Sequence, residues 1–170
     1  MSRELIGRAF GLLGERLHAR GVSGEIMLVG GAAMCLAYSA RAMTKDVDAV
    51  FSPKAVVAEE AARVAEDLGL DRHWLNDGAK GFLSPSLPGE RRCVYSIPGL
   101  DVWAPPPEYI FAMKCLASRQ EDRDDLVFLA KLLGVHGYAA ACSVVLRYYP
   151  ASGILPKTRF MLEGIFSQSE

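Results

Sequence analysis

Two aspartates two positions apart, Asp46 and Asp48, have the residue type and spacing that most directly indicate chemistry. In a β-strand, side chains at positions i and i+2 lie on the same face, so both carboxylates would point the same way. Two like charges held this close repel one another and lose hydration, which is unfavourable in an ordinary sheet. A divalent cation between them would remove that cost, so the pair predicts a metal site.

Two consecutive glycines, Gly30 and Gly31, lie between a short apolar stretch (26–29) and an apolar helical stretch (32–40). Glycines allow a tight strand-to-helix turn and leave no side chain above it. Free N–H groups at the start of the following helix can then bind a phosphate. A phosphate site and a carboxylate pair on the next strand are two halves of a phosphoryl-transfer centre.

Two later segments add charged residues at places where charge needs an explanation. Asp101 stands in an apolar strand, where a carboxylate needs a partner; the alternative is an edge-strand residue that faces water. Lys114, on an apolar helix, can reach a phosphate as a point charge, but lysines also extend along apolar surfaces into water. Asp122 and Asp125 share a helix face, and acids at that place also suit a helix N-terminus.

The order Gly-Gly, a helix's length of sequence, then Asp-x-Asp on a strand resembles the signature of the nucleotidyltransferase superfamily, with its polymerase-beta-like fold. Within it, the chain is most similar to the small AbiEii-like toxin nucleotidyltransferases and their uncharacterised relatives. The matching segments are about 26–51 and 100–134, in the expected order. The chain departs from the pattern at Gly31, where many members have serine, and it is shorter than most AbiEii-like toxins.

This resemblance implies Mg²⁺-dependent transfer of a nucleotide from a nucleoside triphosphate to an acceptor hydroxyl, with two Mg²⁺ ions. It implies that Asp46, Asp48 and Asp101 bind the metal and that Asp101 accepts the proton of the acceptor. It also implies that Asp122 or Asp125 orients the lysine or assists the acceptor. The catalytic set is then Asp46, Asp48, Asp101, Lys114, Asp122 and Asp125, and the nucleotide-binding set is Gly30, Gly31, Arg41, Thr44, Lys45 and Arg119.

The resemblance also implies partners. The acceptor would be a tRNA end, a protein hydroxyl or a small molecule, and the setting a toxin–antitoxin pair with a cognate antitoxin. An alternative is a catalytically silent relative that acts as a binding or antitoxin-like module, which would bind nucleotide without transferring it. A purely structural interaction domain is a third alternative, and it predicts no Mg²⁺-dependent nucleotide binding.

Length and composition predict one compact domain that can divide into two lobes: 170 residues, 51% apolar and 23% charged. The net charge of −1 indicates no general attraction to nucleic acid or to anionic membranes. No apolar run approaches the roughly 20 residues that span a bilayer. Charges interrupt the N-terminal apolar positions, so we expect no secretory signal, no membrane and a cytoplasmic protein.

The hydrophobic pattern predicts an α+β fold, in which a mixed sheet flanked by helices precedes a small C-terminal helical lobe. Three prolines at 105–107 mark the boundary between a core over 1–104 and a helical lobe over 105–170 packed on it. We expect a short helix and a loop over 73–83. The other helices are predicted at 2–20, 32–40, 54–68, 107–119, 122–133, 138–149 and 157–166, and the strands at 26–29, 46–51, 93–97 and 100–104.

Overall fold

A computed structural model describes residues 1–84, 86 and 89–167, and over these the chain has the predicted α+β fold. Its helices are α1 (Arg3–Ala19), α2 (Gly30–Leu36), α3 (Lys54–Leu68), α4 (Pro107–Ala117), α5 (Arg123–Leu133), α6 (Tyr138–Leu146) and α7 (Pro156–Phe166). Its strands are β1 (Gly24–Leu28), β2 (Val47–Ser52), β3 (Leu75–Asn76), β4 (Arg92–Ile97) and β5 (Leu100–Ala104). The end of the predicted helical lobe, 168–170, lies outside the described residues.

The chain divides into two compact units. The first contains residues 1–81 and 91–105, and the second contains residues 82–90 and 106–170. Segment 82–90 therefore differs from the sequence prediction, which assigned it to the core. Hydrogen bonds explain its place: the Ser84 N–H donates to the Tyr109 hydroxyl (3.1 Å), and the Tyr149 hydroxyl donates to the Phe82 carbonyl.

The first unit contains a mixed sheet in the order β3-β2-β1-β5-β4. Strand β1 runs antiparallel to β2 and parallel to β5, and β4 and β5 form the predicted hairpin. One face of the sheet carries apolar side chains such as Ile26, Leu28, Ala49 and Val102, all buried. Helices α1 and α3 pack on this face. The alternation of side chains therefore leaves polar residues of β1, β2 and β5 on the opposite face.

Local signals in the sequence explain most of these elements. The Ser2 hydroxyl caps α1 by accepting from the Leu5 N–H (3.2 Å), and Gly69 ends α3 with a left-handed φ of +63°. Helix α2 begins at Gly30 and ends at Leu36, so it is shorter than the predicted 32–40 helix and includes the two glycines that were predicted as a turn before it. Strand β3 was not predicted, since two residues are too few to show an alternating pattern.

The second unit is helical, and α4 packs against α5, α6 and α7. Every side chain from Tyr109 to Cys115 is buried, which is why this helix has an apolar pattern all round. Among the described residues, no single helix has the length and apolar character to cross a membrane. Segments Gln120–Leu133 and Tyr138–Leu146 reach that length and composition only as a pair, and the chain bends by 89° between them.

Candidate functional site

The corner between β1 and α2 places Gly30 directly beside Asp48. Gly30 has a φ of +57°, in the left-handed region that glycine adopts without strain. A Cβ built on Gly30 would lie 3.0 Å from Asp48 Oδ2. The Val29 N–H also donates to the Asp48 carbonyl (2.9 Å), so the two segments are held together at the backbone. The predicted glycine corner and the predicted carboxylate are therefore direct neighbours.

The linker between α2 and β2 folds back over Gly31. A Cβ on Gly31 would lie 2.6 Å from Thr44 Oγ1 and 3.5 Å from Arg41 Nη1. Thr44 is buried, and its hydroxyl donates to the Asp46 carbonyl (3.0 Å). Thr44 therefore occupies the space beside Gly31 that a side chain would fill. The sequence predicted open space there for a phosphate.

Asp46 and Lys45 lie just before β2. The sequence prediction put Asp46 inside the strand, but the strand begins at Val47. Strand alternation therefore sets the face of Asp48 alone, and the Thr44 hydrogen bond holds the Asp46 backbone. Asp46 and Asp48 are both half-buried, and Lys45 is exposed.

Strand β3 adds residues that the sequence analysis did not select. Asn76 lies opposite Asp48 in the parallel pairing of β2 with β3, and its Oδ1 accepts from the Gly78 N–H (2.8 Å). A Cβ on Gly78 would lie 3.5 Å from Asp48 Oδ1. Asn-Asp-Gly is a typical turn sequence, so a local signal was present, but it did not indicate a neighbour of Asp48.

Two lysines add positive charge to the same turn. Asp77 Oδ2 lies 2.5 Å from Lys54 Nζ and 3.4 Å from Lys80 Nζ. The Lys54 hydrogen bond holds the pKa of Asp77 below its usual value, and Lys80 adds to the effect. Both lysines are largely exposed, so their ammonium groups remain in contact with solvent.

The predicted convergence of Asp101 with Asp48 is wrong. In the parallel pairing of β1 with β5, Asp101 lies opposite Glu25, near the start of β1. Asp48 lies beside Val29, after the end of β1. The two residues are therefore offset by four residues, about 13 Å, along the strand direction. They also lie on opposite sides of β1. Both point to the same face, but the strand register, which a sequence pattern does not contain, holds them apart.

Asp101 belongs to a different surface of the first unit. It is exposed and accepts from the Ser96 hydroxyl (2.7 Å). Nearby, the Arg91 guanidinium lies 4.4 Å from the centre of the Trp103 ring and donates to Glu25, which also accepts from the indole N–H (2.9 Å). These residues line an open groove of about 490 Å³.

The second unit brings Lys114, Asp122 and Asp125 together, as the sequence analysis grouped them. Lys114 Nζ donates to Asp122 and lies 2.8 Å from Asp125 Oδ2, and all three residues are buried. The Asp122 side chain does not cap α5, and its carboxylate accepts the hydrogen bond from Lys114 instead. The Arg119 guanidinium lies 5.5 Å from the centre of the Phe82 ring.

The donor chemistry at the corner fits a nucleotide-bound metal. In the described part of the chain, no group of three or more His, Cys, Asp and Glu side chains is arranged to hold a metal ion. Mg²⁺ in nucleotide sites is usually bound by one or two carboxylates, with phosphate oxygens and water completing its shell. Asp48 supplies one carboxylate of this kind beside Gly30, and Asp46, whose backbone is held by Thr44, is the nearest further carboxylate in the sequence.

Comparisons of this chain with protein-family models, with curated proteins and with solved structures found no match. Any function proposed for it therefore depends on its own residues.

Proposed function

We propose that the first unit binds the phosphates of a nucleoside triphosphate together with Mg²⁺ at the corner formed by Gly30, Arg41, Asp46 and Asp48. The observation that carries this proposal is the 3.0 Å approach of a Gly30 Cβ position to Asp48 Oδ2. At this position, backbone without a side chain lies directly beside a carboxylate. Such backbone can approach a phosphate closely, and the carboxylate is a hard oxygen ligand for Mg²⁺.

Each residue at this corner has a separate role in the proposal. Asp46 and Asp48 would hold Mg²⁺, which would neutralise phosphate charge. The Arg41 guanidinium, 3.5 Å from the Cβ position of Gly31, would bind phosphate oxygens. Exposed Lys45 would add positive charge at the entrance. Thr44 would hold the linker in place through its hydrogen bond to the Asp46 carbonyl.

The position of Asp101 favours binding over transfer. A transfer centre of the type implied by the resemblance needs a third carboxylate to accept the proton of the acceptor hydroxyl. Asp101 lies near the other end of β1, opposite Glu25. We therefore propose a nucleotide-binding module of the nucleotidyltransferase type as the first function.

Nucleotide transfer at the same corner is the second candidate, because the Asp48 carboxylate lies beside Gly30 and Asp46 is two residues before it in the chain. Its acceptor would be a tRNA end, a protein hydroxyl or a small molecule, and a cognate antitoxin would be the partner. The proposed compartment is the cytoplasm, where the free thiols of all four cysteines would stay reduced.

Calorimetry tests the binding function. Mg²⁺ with each nucleoside triphosphate is titrated into the parent chain and into Asp48→Asn and Asp101→Asn variants. We expect saturable binding by the parent, at least about tenfold weaker binding by Asp48→Asn, and no change in Asp101→Asn. Absence of binding by the folded parent, or equal losses in both variants, would contradict the proposal.

A transfer assay separates the two candidates. The chain is incubated with Mg²⁺ and α-labelled nucleoside triphosphates, together with whole-cell RNA and protein. Binding without labelled product supports the module. Labelled RNA or protein that disappears with Asp46→Ala or Asp48→Ala, while both variants stay folded, supports transfer.

A further inference from the structure

The second unit contains a cavity of about 440 Å³ formed by α5, α7 and the loop that joins α5 to α6. This volume lies within the range of small-molecule sites, about 300–1,000 Å³. Its walls are mainly apolar and consist of Val127, Ala130, Val135, Ile165 and Phe166. An apolar tail of a ligand would be removed from water here.

The ionisable side chains that line this cavity in the described part of the chain are basic. Lys131 and His136 line it, and among residues 1–84, 86 and 89–167 no acidic side chain does. Among the described residues, no carboxylate lies within ion-pair distance of Lys131. The lysine is exposed, so its ammonium group can turn toward a ligand at the entrance.

A helix N-terminus adds to this polarity. Gly137 also lines the cavity and is the N-cap of α6, and it supplies no side-chain cap. The N–H groups of a first helical turn point back toward the N-cap residue and favour a negative charge there. The Lys131 ammonium, the His136 imidazole and this backbone therefore favour the same ligand charge.

We infer that this cavity binds a small organic monocarboxylate with an apolar tail, such as a medium-chain fatty acid. The tail would lie against Val127, Ala130 and Phe166, and the carboxylate would be bound by Lys131 and His136. The site shares no residue with the nucleotide corner of the first unit. An experiment that disproves nucleotide binding would therefore leave this inference unaffected, and the reverse also holds.

Calorimetry with a series of straight-chain acids from butanoate to octanoate tests this site. We expect affinity to rise about fourfold for each added methylene, because each one buries more apolar surface. Octylamine has the same tail and the opposite charge, and it should bind at least about tenfold more weakly than octanoate. A dissociation constant for octanoate above about 1 mM, or equal binding of the amine, overturns the inference.

Two variants locate the site. Lys131→Glu should weaken octanoate binding at least about tenfold, whereas Arg147→Glu, the same charge reversal on an exposed residue outside the cavity, should not. Val127→Trp fills the cavity from an exposed position and should remove binding while circular dichroism stays unchanged. Octanoate binding that survives both Lys131→Glu and Val127→Trp overturns the inference. The inference is also overturned if the chain does not bind octanoate but binds an apolar peptide through the free C-terminal carboxylate of that peptide.

Discussion

Gly30 and Asp48 meet closely enough that a side chain on the glycine would have its Cβ 3.0 Å from Asp48 Oδ2. Antiparallel pairing of β1 with β2 brings them together, since the Val29 N–H donates to the Asp48 carbonyl. A glycine at this position therefore has two structural reasons: the left-handed backbone, with a φ of +57°, and the adjacent carboxylate.

Gly30→Ala should destabilise the chain and weaken nucleotide binding. A left-handed backbone costs a residue with a side chain about 1–2 kcal/mol, and the contact with Asp48 adds to this. Gly69→Ala is the matched control, because Gly69 has a φ of +63° but no atom near its Cβ position. Urea unfolding measures both free energies of unfolding. An equal loss in the two variants would show that the Asp48 contact contributes nothing.

Asn76→Ala should weaken Mg²⁺-dependent nucleotide binding more than it lowers stability. The substitution removes one hydrogen bond to the Gly78 N–H, which costs about 0.5–1.5 kcal/mol, and releases the turn beside Asp48. Asn76→Asp keeps an acceptor for that N–H and should retain more of the binding. Calorimetry and urea unfolding provide the two readouts. Nucleotide binding by Asn76→Ala that equals the parent's would exclude this positioning role.

Lys114→Met should destabilise the chain by about 3–5 kcal/mol, because it leaves the buried carboxylates of Asp122 and Asp125 without their lysine. Lys131→Met removes an exposed lysine from the same unit and should change stability by less than about 0.5 kcal/mol. The measurement is the urea midpoint for each variant. A loss below about 1 kcal/mol for Lys114→Met would indicate that the lysine has a role other than stabilising the unit.

Stability should fall as the pH rises above about 10, partly through Tyr149. Burial raises the pKa of Tyr149 above its usual 10.0, so the folded state binds the phenolic proton more tightly than the unfolded state. The contribution is therefore complete below the unfolded pKa and is lost as pH rises through the folded one. Urea midpoints across this pH range should decline less steeply for Tyr149→Phe. Parallel declines would assign the effect to other buried groups such as Cys115, whose pKa burial also raises.

Local signals predicted most of the helices, strands and turns around the site, but they did not predict which of these elements lie next to one another. The segment Pro98-Gly99 marked the β4–β5 hairpin correctly, because a tight turn depends on the residues within it. Asn76-Asp77-Gly78 marked a turn, but nothing in those residues indicated a strand beside Asp48. Lys114 was grouped with Asp122 and Asp125 from the resemblance, and only the fold revealed that the group is buried and ion-paired.

The sequence alone determined the α+β class, the glycines where β1 meets α2 and the faces of Asp48 and Asp101, because backbone freedom and side-chain alternation are properties of neighbouring residues. The tertiary structure decided that Asp48 lies beside Gly30 and Asn76, while Asp101 lies opposite Glu25. The physical reason is strand register. Register is set by how the whole apolar face packs on α1 and α3. The same packing therefore fixes the position of each carboxylate on the opposite face.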